Sequence, residues 1–311
     1  MISFRYHVFT IVAIFLAVAL GIAVGNAYVQ PALVQSLRQQ TDQLRSGLHE
    51  WQSKYDRVNA ELGSLEQATN VLQMVDGGQL AGARVVVVTQ DGTDPDVLDR
   101  AVSALKTAQA DVVAVLSITD RMLPADGQAT ADLAGVLGLA PSTPPSDVAT
   151  VAATTLADRL AVGPPRKGAH PGDDVLDTLL RRQYVRFAGP VVPERDLPQI
   201  GGRGEIVVAL SGSADPLTLA PNDFMVPFVE ATVARGGLVA AGEAVTNADP
   251  FVGVLRGDDA LSGTTMVTVD DLGWAWGGVA LVLGLEHAMT TGQGGDYGVN
   301  DGAEAPIPPV P

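Results

Sequence analysis

Four histidines, six methionines and no cysteine are all that this sequence offers a soft metal ion. Cu(I) favours thiolate or thioether ligands, but the methionines are scattered, with no M-x-x-M pair among them. His7 precedes a long apolar run, His49 lies in a polar repeat, and His170 sits in a Gly- and Pro-rich stretch. His287 and Met289 share a helical pattern, but positions two apart on a helix diverge by about 200°. The acidic pairs Asp173/Asp174, Asp258/Asp259 and Asp270/Asp271 could hold a hard cation, yet read as solvated loop charges. Without cysteine there is no disulfide, no thiolate nucleophile and no cysteine metal site. No metal ligand set and no cofactor is expected.

Nucleotide and hydrolase chemistry find equally little. The first strong strand is followed by "TQDGTDPD" rather than G-x-G-x-x-G, and G-x-x-x-x-G-K-[ST] does not occur. Asp91, Asp94 and Asp96 would repel a pyrophosphate there. "SGSAD" at 211–215 lacks the G-x-S-x-G frame of a nucleophile elbow. Asp91 and Ser211 lie near strand C-termini, where α/β sites form, but are read as turn and cap residues. No catalytic residue is assigned and a non-enzyme is expected; an α/β enzyme whose site no motif marks is the remaining alternative. Net charge is −16, from 35 acidic against 19 basic residues. That excludes nucleic acid, which demands a basic footprint, and docking on anionic lipid headgroups.

The elements that would have to position any site are clearer. "ARVVVVTQD" is a buried strand, "DPDVLDRAVSALKTAQA" a helix opening at an Asp-Pro cap, and "DVVAVLSIT" a second strand. This βαβ order favours a parallel sheet. Helical patterns follow at 128–139, 146–161, 174–185 and 222–235, with strands at "GEIVVALSG", "LVAAGEA" and "TTMVTVDD". "WAWGGVALVLGLEHAM" closes the domain as a buried helix, its uncharged core of 12 residues too short to span a membrane. The expected class is α/β: an N-terminal transmembrane helix and a long coiled-coil helix, then a Rossmann-like domain with a mainly parallel sheet. Its divisions are a membrane anchor at 1–29, a parallel coiled coil at 30–76, an extracytoplasmic α/β domain at 82–290, and a disordered acidic Gly/Pro-rich tail at 291–311.

Val8–Gly25 is 18 residues with one threonine and no charge, the length of a spanning helix. A cleavable signal has a shorter apolar region, so retention as an anchor is expected; cleavage after Ala27 is the alternative. Arg5 precedes the span and the first basic residue beyond it is Arg38, which places the N-terminus in the cytoplasm and the bulk outside. Ala13, Ala17, Gly21 and Gly25 set a small residue at every fourth position, a face that allows close helix–helix approach in lipid.

Past Pro31 a heptad repeat begins. One seam is Leu37, Leu44, Trp51, Val58, Leu65 and Leu72; three residues earlier stand Val34, Thr41, Leu48, Tyr55, Leu62 and Thr69. The intervening residues are strongly polar, so a lone helix would have nothing to pack against. Self-association as a parallel homodimer follows, through a rod of about 60 Å at 1.5 Å per residue. An amphipathic hairpin folded onto the globular domain is the alternative.

The opening "MISFRYHVFTIVAIFLAVALGIAVG", the coil, the α/β domain, "WGGVALVLGLEHA" and a C-terminal "GGDYG" resemble the MctB-type copper transporter family of bacteria with mycolic-acid envelopes. The resemblance implies an envelope protein, described for the family as an outer-membrane channel that limits copper accumulation. It also brings the association of some members with cell separation, as partners regulating peptidoglycan (cell-wall) hydrolases. A transmembrane barrel needs at least eight strands of alternating polarity, whereas the strong strands here are few, short and continuously apolar, the pattern of a buried parallel sheet.

Overall fold

A computed structural model describes residues 6–24, 77–124, 126–165, 174–189, 200–274 and 276–308. The chain divides into two units, Met1–Gly63 and Ser64–Pro311. In the first, helix α1 (Tyr6–Val24) is 19 residues long and apolar enough to cross a membrane. The hydroxyl of Thr10 donates to the Tyr6 carbonyl at 2.9 Å, so its one polar side chain in mid-helix is satisfied within the helix. Ala13, Ala17 and Gly21 lie on α1, and a Cβ at Gly21 would touch nothing. Gly25 lies outside the described residues, as do the coil positions Leu37, Leu44, Leu48, Trp51, Tyr55, Val58, Leu62, Leu65 and Leu72.

In the second unit, Val85–Val88 is a run of four valines that cannot alternate apolar with polar. Both faces of its strand must therefore be covered. That strand, β1 (Arg84–Gln90), lies inside the sheet with a neighbour on each side. Val86 and Val88 face a core that includes Leu156, Phe228 and Val229; Val85 and Val87 face Ala101, Leu105, Leu281 and Leu285. β1 pairs in parallel with β2 (Asp111–Ile118) on one side and with β4 (Ile206–Leu210) on the other. Beyond β4 follow β5 (Val239–Gly242), β6 (Val267–Val269) and β7 (Gly295–Tyr297), all parallel. Strand β3 (Val185–Phe187) pairs antiparallel with β2 at the opposite edge. The order is β3-β2-β1-β4-β5-β6-β7, an open doubly wound sheet. It is open, and only its edge strand β3 runs antiparallel, whereas a transmembrane barrel is closed and antiparallel throughout.

Helices α2 (Pro95–Thr107) and α8 (Gly277–Thr291) cover one face; α3 (Gly127–Val136), α4 (Pro145–Val162), α5 (Val175–Arg181), α6 (Met225–Ala234) and α7 (Val252–Arg256) lie on the other. Aspartates start several of them. Asp94 accepts from the Asp96 amide at 2.9 Å, Asp126 from Ala129 at 2.7 Å and Asp174 from Leu176 at 3.0 Å. Each satisfies an amide that the first helical turn leaves unpaired.

Three expectations need correction. The helix expected over 174–185 ends at Arg181, where Gln183 turns to φ 60° and the Tyr184 amide donates back to the Leu179 carbonyl at 2.9 Å; Val185 then opens β3. The expected disordered tail is ordered through residue 308, and its "GDY" is β7. Gly294 makes this docking possible, because a Cβ there would run into the Met266 carbonyl. Finally, Asp174, Asp270 and Asp271 are not solvated loop charges. Asp174 holds Arg159 through two bonds of 2.7 and 2.8 Å, and Asp270 and Asp271 are both fully buried.

Candidate functional site

Open α/β sheets bind ligands beyond the carboxyl ends of their strands, at the point where the strand order reverses. Here that point lies between β1 and β4, and the chain fills it itself. Gln90 donates to the Leu219 carbonyl at 2.7 Å, the Asp94 amide donates to the Gly212 carbonyl at 3.0 Å, and the Leu217 side chain stacks over Gly92. Asp91 accepts from the Ser117 hydroxyl at 2.7 Å and pairs with Arg186 at 2.7 Å, tying β1, β2 and β3 together. Ser211 is fully buried. Asp91 therefore serves the architecture of this edge, and Ser211 joins it through its amide, which donates to the Gly242 carbonyl at 3.1 Å.

The open crevice lies farther along the same edge, beyond β5 and β6. It holds about 460 Å³ and is lined by Glu243, Val245, Asn247, Pro250, Gly253, Arg256, Asp270, Val299, Asn300 and Asp301. Its geometry follows from the two-residue period of a strand. Thr268 and Asp270 share one side of β6 and its extension, and both reach Arg256 on α7. Arg256 donates from Nε to Thr268 Oγ1 at 2.8 Å, from Nη1 to Asp270 at 2.5 Å and from Nη2 to the Tyr297 carbonyl at 2.7 Å. Thr268 in turn donates to Asp296 of β7 at 2.7 Å. The other oxygen of Asp270 accepts from the amides of Val299 at 2.8 Å and Asn300 at 3.2 Å. That loop passes this close because Gly298, at φ 131°, has no Cβ to strike the Asp270 carboxylate.

Two carboxyls flank this arginine-centred cluster. Glu243, just past β5, accepts from Asn247 Nδ2 at 2.6 Å and from the Phe251 amide at 2.8 Å. Burial pushes its pKa up and Asp270 adds to the rise, while the Phe251 and Val252 amides and Asn247 pull it back. Asp271 has the opposite strand phase from Asp270, pointing toward α8. Its Oδ2 accepts from the Trp276 indole at 2.8 Å, while Oδ1 is buried with no hydrogen-bond partner among the described residues. Burial and then the neighbouring Asp270 raise its pKa to about 7, against the opposing pull of Trp276 and Arg256.

Chemically, this is a polar crevice in which Arg256 and Asp270 are engaged with each other and Glu243 is held by Asn247 and the Phe251 amide. Asn247, Asn300 and Asp301 complete its polar lining, and among the described residues no histidine or lysine lines it. Among the described residues, no three His, Asp or Glu side chains converge closely enough to hold a metal ion. Sequence reasoning missed the cluster, although it had marked both Asp270 and Asp271. The available signal was the pairing of Thr268 with Asp270 two positions on, together with "GGDYG" as a strand rather than a tail.

Comparison with known proteins gives a match over the whole chain. The family model described as "Copper transport outer membrane protein, MctB" matches residues 1–308. The protein named "Copper transporter MctB" from Mycobacterium leprae (strain TN) is 27% identical over 330 aligned positions, covering 97% of this chain and 98% of that protein. Proteins of the same name from Mycobacterium bovis and Mycobacterium tuberculosis (strain ATCC 25618 / H37Rv) are each 26% identical over 325 positions, with the same coverage.

Proposed function

This chain belongs to the MctB family of copper transport outer membrane proteins, and from that premise we propose that it is an envelope protein acting in copper transport or copper homeostasis. In this reading α1 is retained as a single-pass anchor with its N-terminus in the cytoplasm. Residues 30–76 self-associate as a parallel homodimer, and the α/β domain works outside the membrane as a non-catalytic part. The observation that carries the proposal is the extent of the match, residues 1–308. It includes the apolar helix and every described strand of the sheet, so the match is not confined to one module of the chain.

Copper enters here as cargo. Of the methionines in the α/β domain, Met122, Met225 and Met266 are buried and Met289 is exposed. A soft ion favours several thioethers acting together, so copper handling in this proposal depends on assembly of copies or on a partner rather than on a resident site in one domain. A deletion strain of the source bacterium tests the reading. Cell-associated copper should rise several-fold under copper challenge and return to normal on complementation with the full chain. Unchanged copper content, with cells that fail to separate, would replace the proposal with a scaffold for a cell-wall hydrolase.

A further inference from the structure

Asp271 and Trp276 bracket the turn that leads from β6 into α8. Among the described residues the turn is held by Trp276 Nε1 to Asp271 Oδ2 at 2.8 Å, Leu272 N to Glu243 O at 3.0 Å, Trp274 N to Asp271 O at 2.8 Å, and Gly277 N to Trp274 O at 3.2 Å. The two indoles meet edge to face, 4.8 Å apart. Gly277 packs so tightly on the Asp271 and Leu272 backbone that a Cβ there would clash. The start of α8 is therefore packed directly on the backbone of the turn.

We propose that Asp271 and Trp276 form a proton-operated latch: with Asp271 neutral the turn that begins at Asp271 is closed, and on loss of its proton that turn opens to water. The argument rests on Oδ1, which is buried without a hydrogen-bond partner among the described residues. A neutral acid tolerates that position far better than a carboxylate, whose charge requires donors or solvent. The charged groups acting on Asp271 are the adjacent Asp270, which opposes ionisation, and Arg256 of α7, which favours it. Arg256 is already shared among Asp270, Thr268 and the Tyr297 carbonyl. Glu243, across from Leu272 and just past β5, is a further buried acid and supplies no positive charge. The Trp276 indole is spent on Oδ2, and the amide of Asp271 itself offsets burial only in small part, so water must supply the rest, and it reaches Oδ1 only if the turn lifts. Asp270 leads directly into that turn, so opening also shifts one wall of the crevice.

Tryptophan emission of the full chain in detergent, carrying Trp51→Phe, reads the latch, because both remaining indoles flank the turn. Emission should shift to the red and become more accessible to acrylamide as pH rises through about 7. In Asp271→Asn the transition should vanish. A flat profile from pH 5 to 9, or the same midpoint in Asp271→Asn, would overturn the latch. Hydrogen exchange on the unsubstituted chain needs no variant at the latch. After correction for intrinsic rates, 271–280 should lose protection at least tenfold between pH 6 and pH 8 while β1 keeps its own. Equal protection of 271–280 at both values would refute the proposal.

Discussion

Arg256 shows how strongly one side chain can be committed in this protein. Its side chain is 5% exposed and its partner Asp270 only 1%, so both charges have left water and depend on each other. Breaking such a pair from one side strands the other charge, at a cost of about 3–5 kcal/mol. Arg256→Met should lower unfolding stability by that amount in urea denaturation, while Arg256→Met combined with Asp270→Asn should cost less than the sum of the two single changes. Asp271 works in the opposite sense. Its folded pKa is raised from 3.8 to about 7, so between those values the folded state binds the proton that the unfolded state has released. Its contribution is fully present below the unfolded value and is lost as pH rises through the folded one, at about 1.4 kcal/mol per unit at the steepest. Glu243 is raised as well, chiefly by burial, and has the same sign. The urea midpoint should therefore be higher at pH 5 than at pH 8, and Asp271→Asn should flatten much of that difference. A midpoint that rises with pH would refute the assignment.

At the scale of elements, β7 is the most informative strand because nothing in its composition announces it. Gly and Asp are poor strand formers, and only Tyr297 of "GDY" favours the conformation. It pairs because Gly294 and Gly298 allow close approach to Met266 and Asp270, contacts that depend on residues far away in sequence. Gly294→Ala should thus cost about 1–3 kcal/mol through overpacking. Gly292→Ala, where φ is 74° and the surrounding space is open, should cost about 1 kcal/mol from backbone strain alone. Thermal unfolding of the two variants compares them, and equal losses would mean that the contact with Met266 is not what holds β7. The contrast explains what the sequence could reveal. Valine runs made β1, β2 and β4 legible, and Asp94 with Pro95 marked the start of α2. The short edge strands β3 and β7 and the single-turn α7 carry too few residues for any period to register. The crevice was hidden for the same reason: Thr268, Asp270, Arg256 and Tyr297 meet only after three elements have packed.

For the whole molecule, what matters is how copies associate, and two features of the sequence bear on it. The small-residue face of Ala13, Ala17, Gly21 and Gly25 has a four-residue step, which suits a right-handed helix crossing. The seam from Leu37 to Leu72 has a seven-residue step, which imposes a left-handed supercoil. One straight helix cannot satisfy both, and Pro31 stands between them, where a helix can end and another begin. Association through both features would fix two chains side by side and bring two copies of the α/β domain under one assembly. Leu44→Asp combined with Leu65→Asp places charge in the seam and should abolish self-association of residues 30–311 in sedimentation velocity. Ala17→Leu with Gly21→Leu should instead weaken association of the full chain in detergent and leave the fragment unaffected. If the unsubstituted fragment already sediments as a monomer, the heptad repeat does not join two chains, and α1 alone would have to account for any dimer.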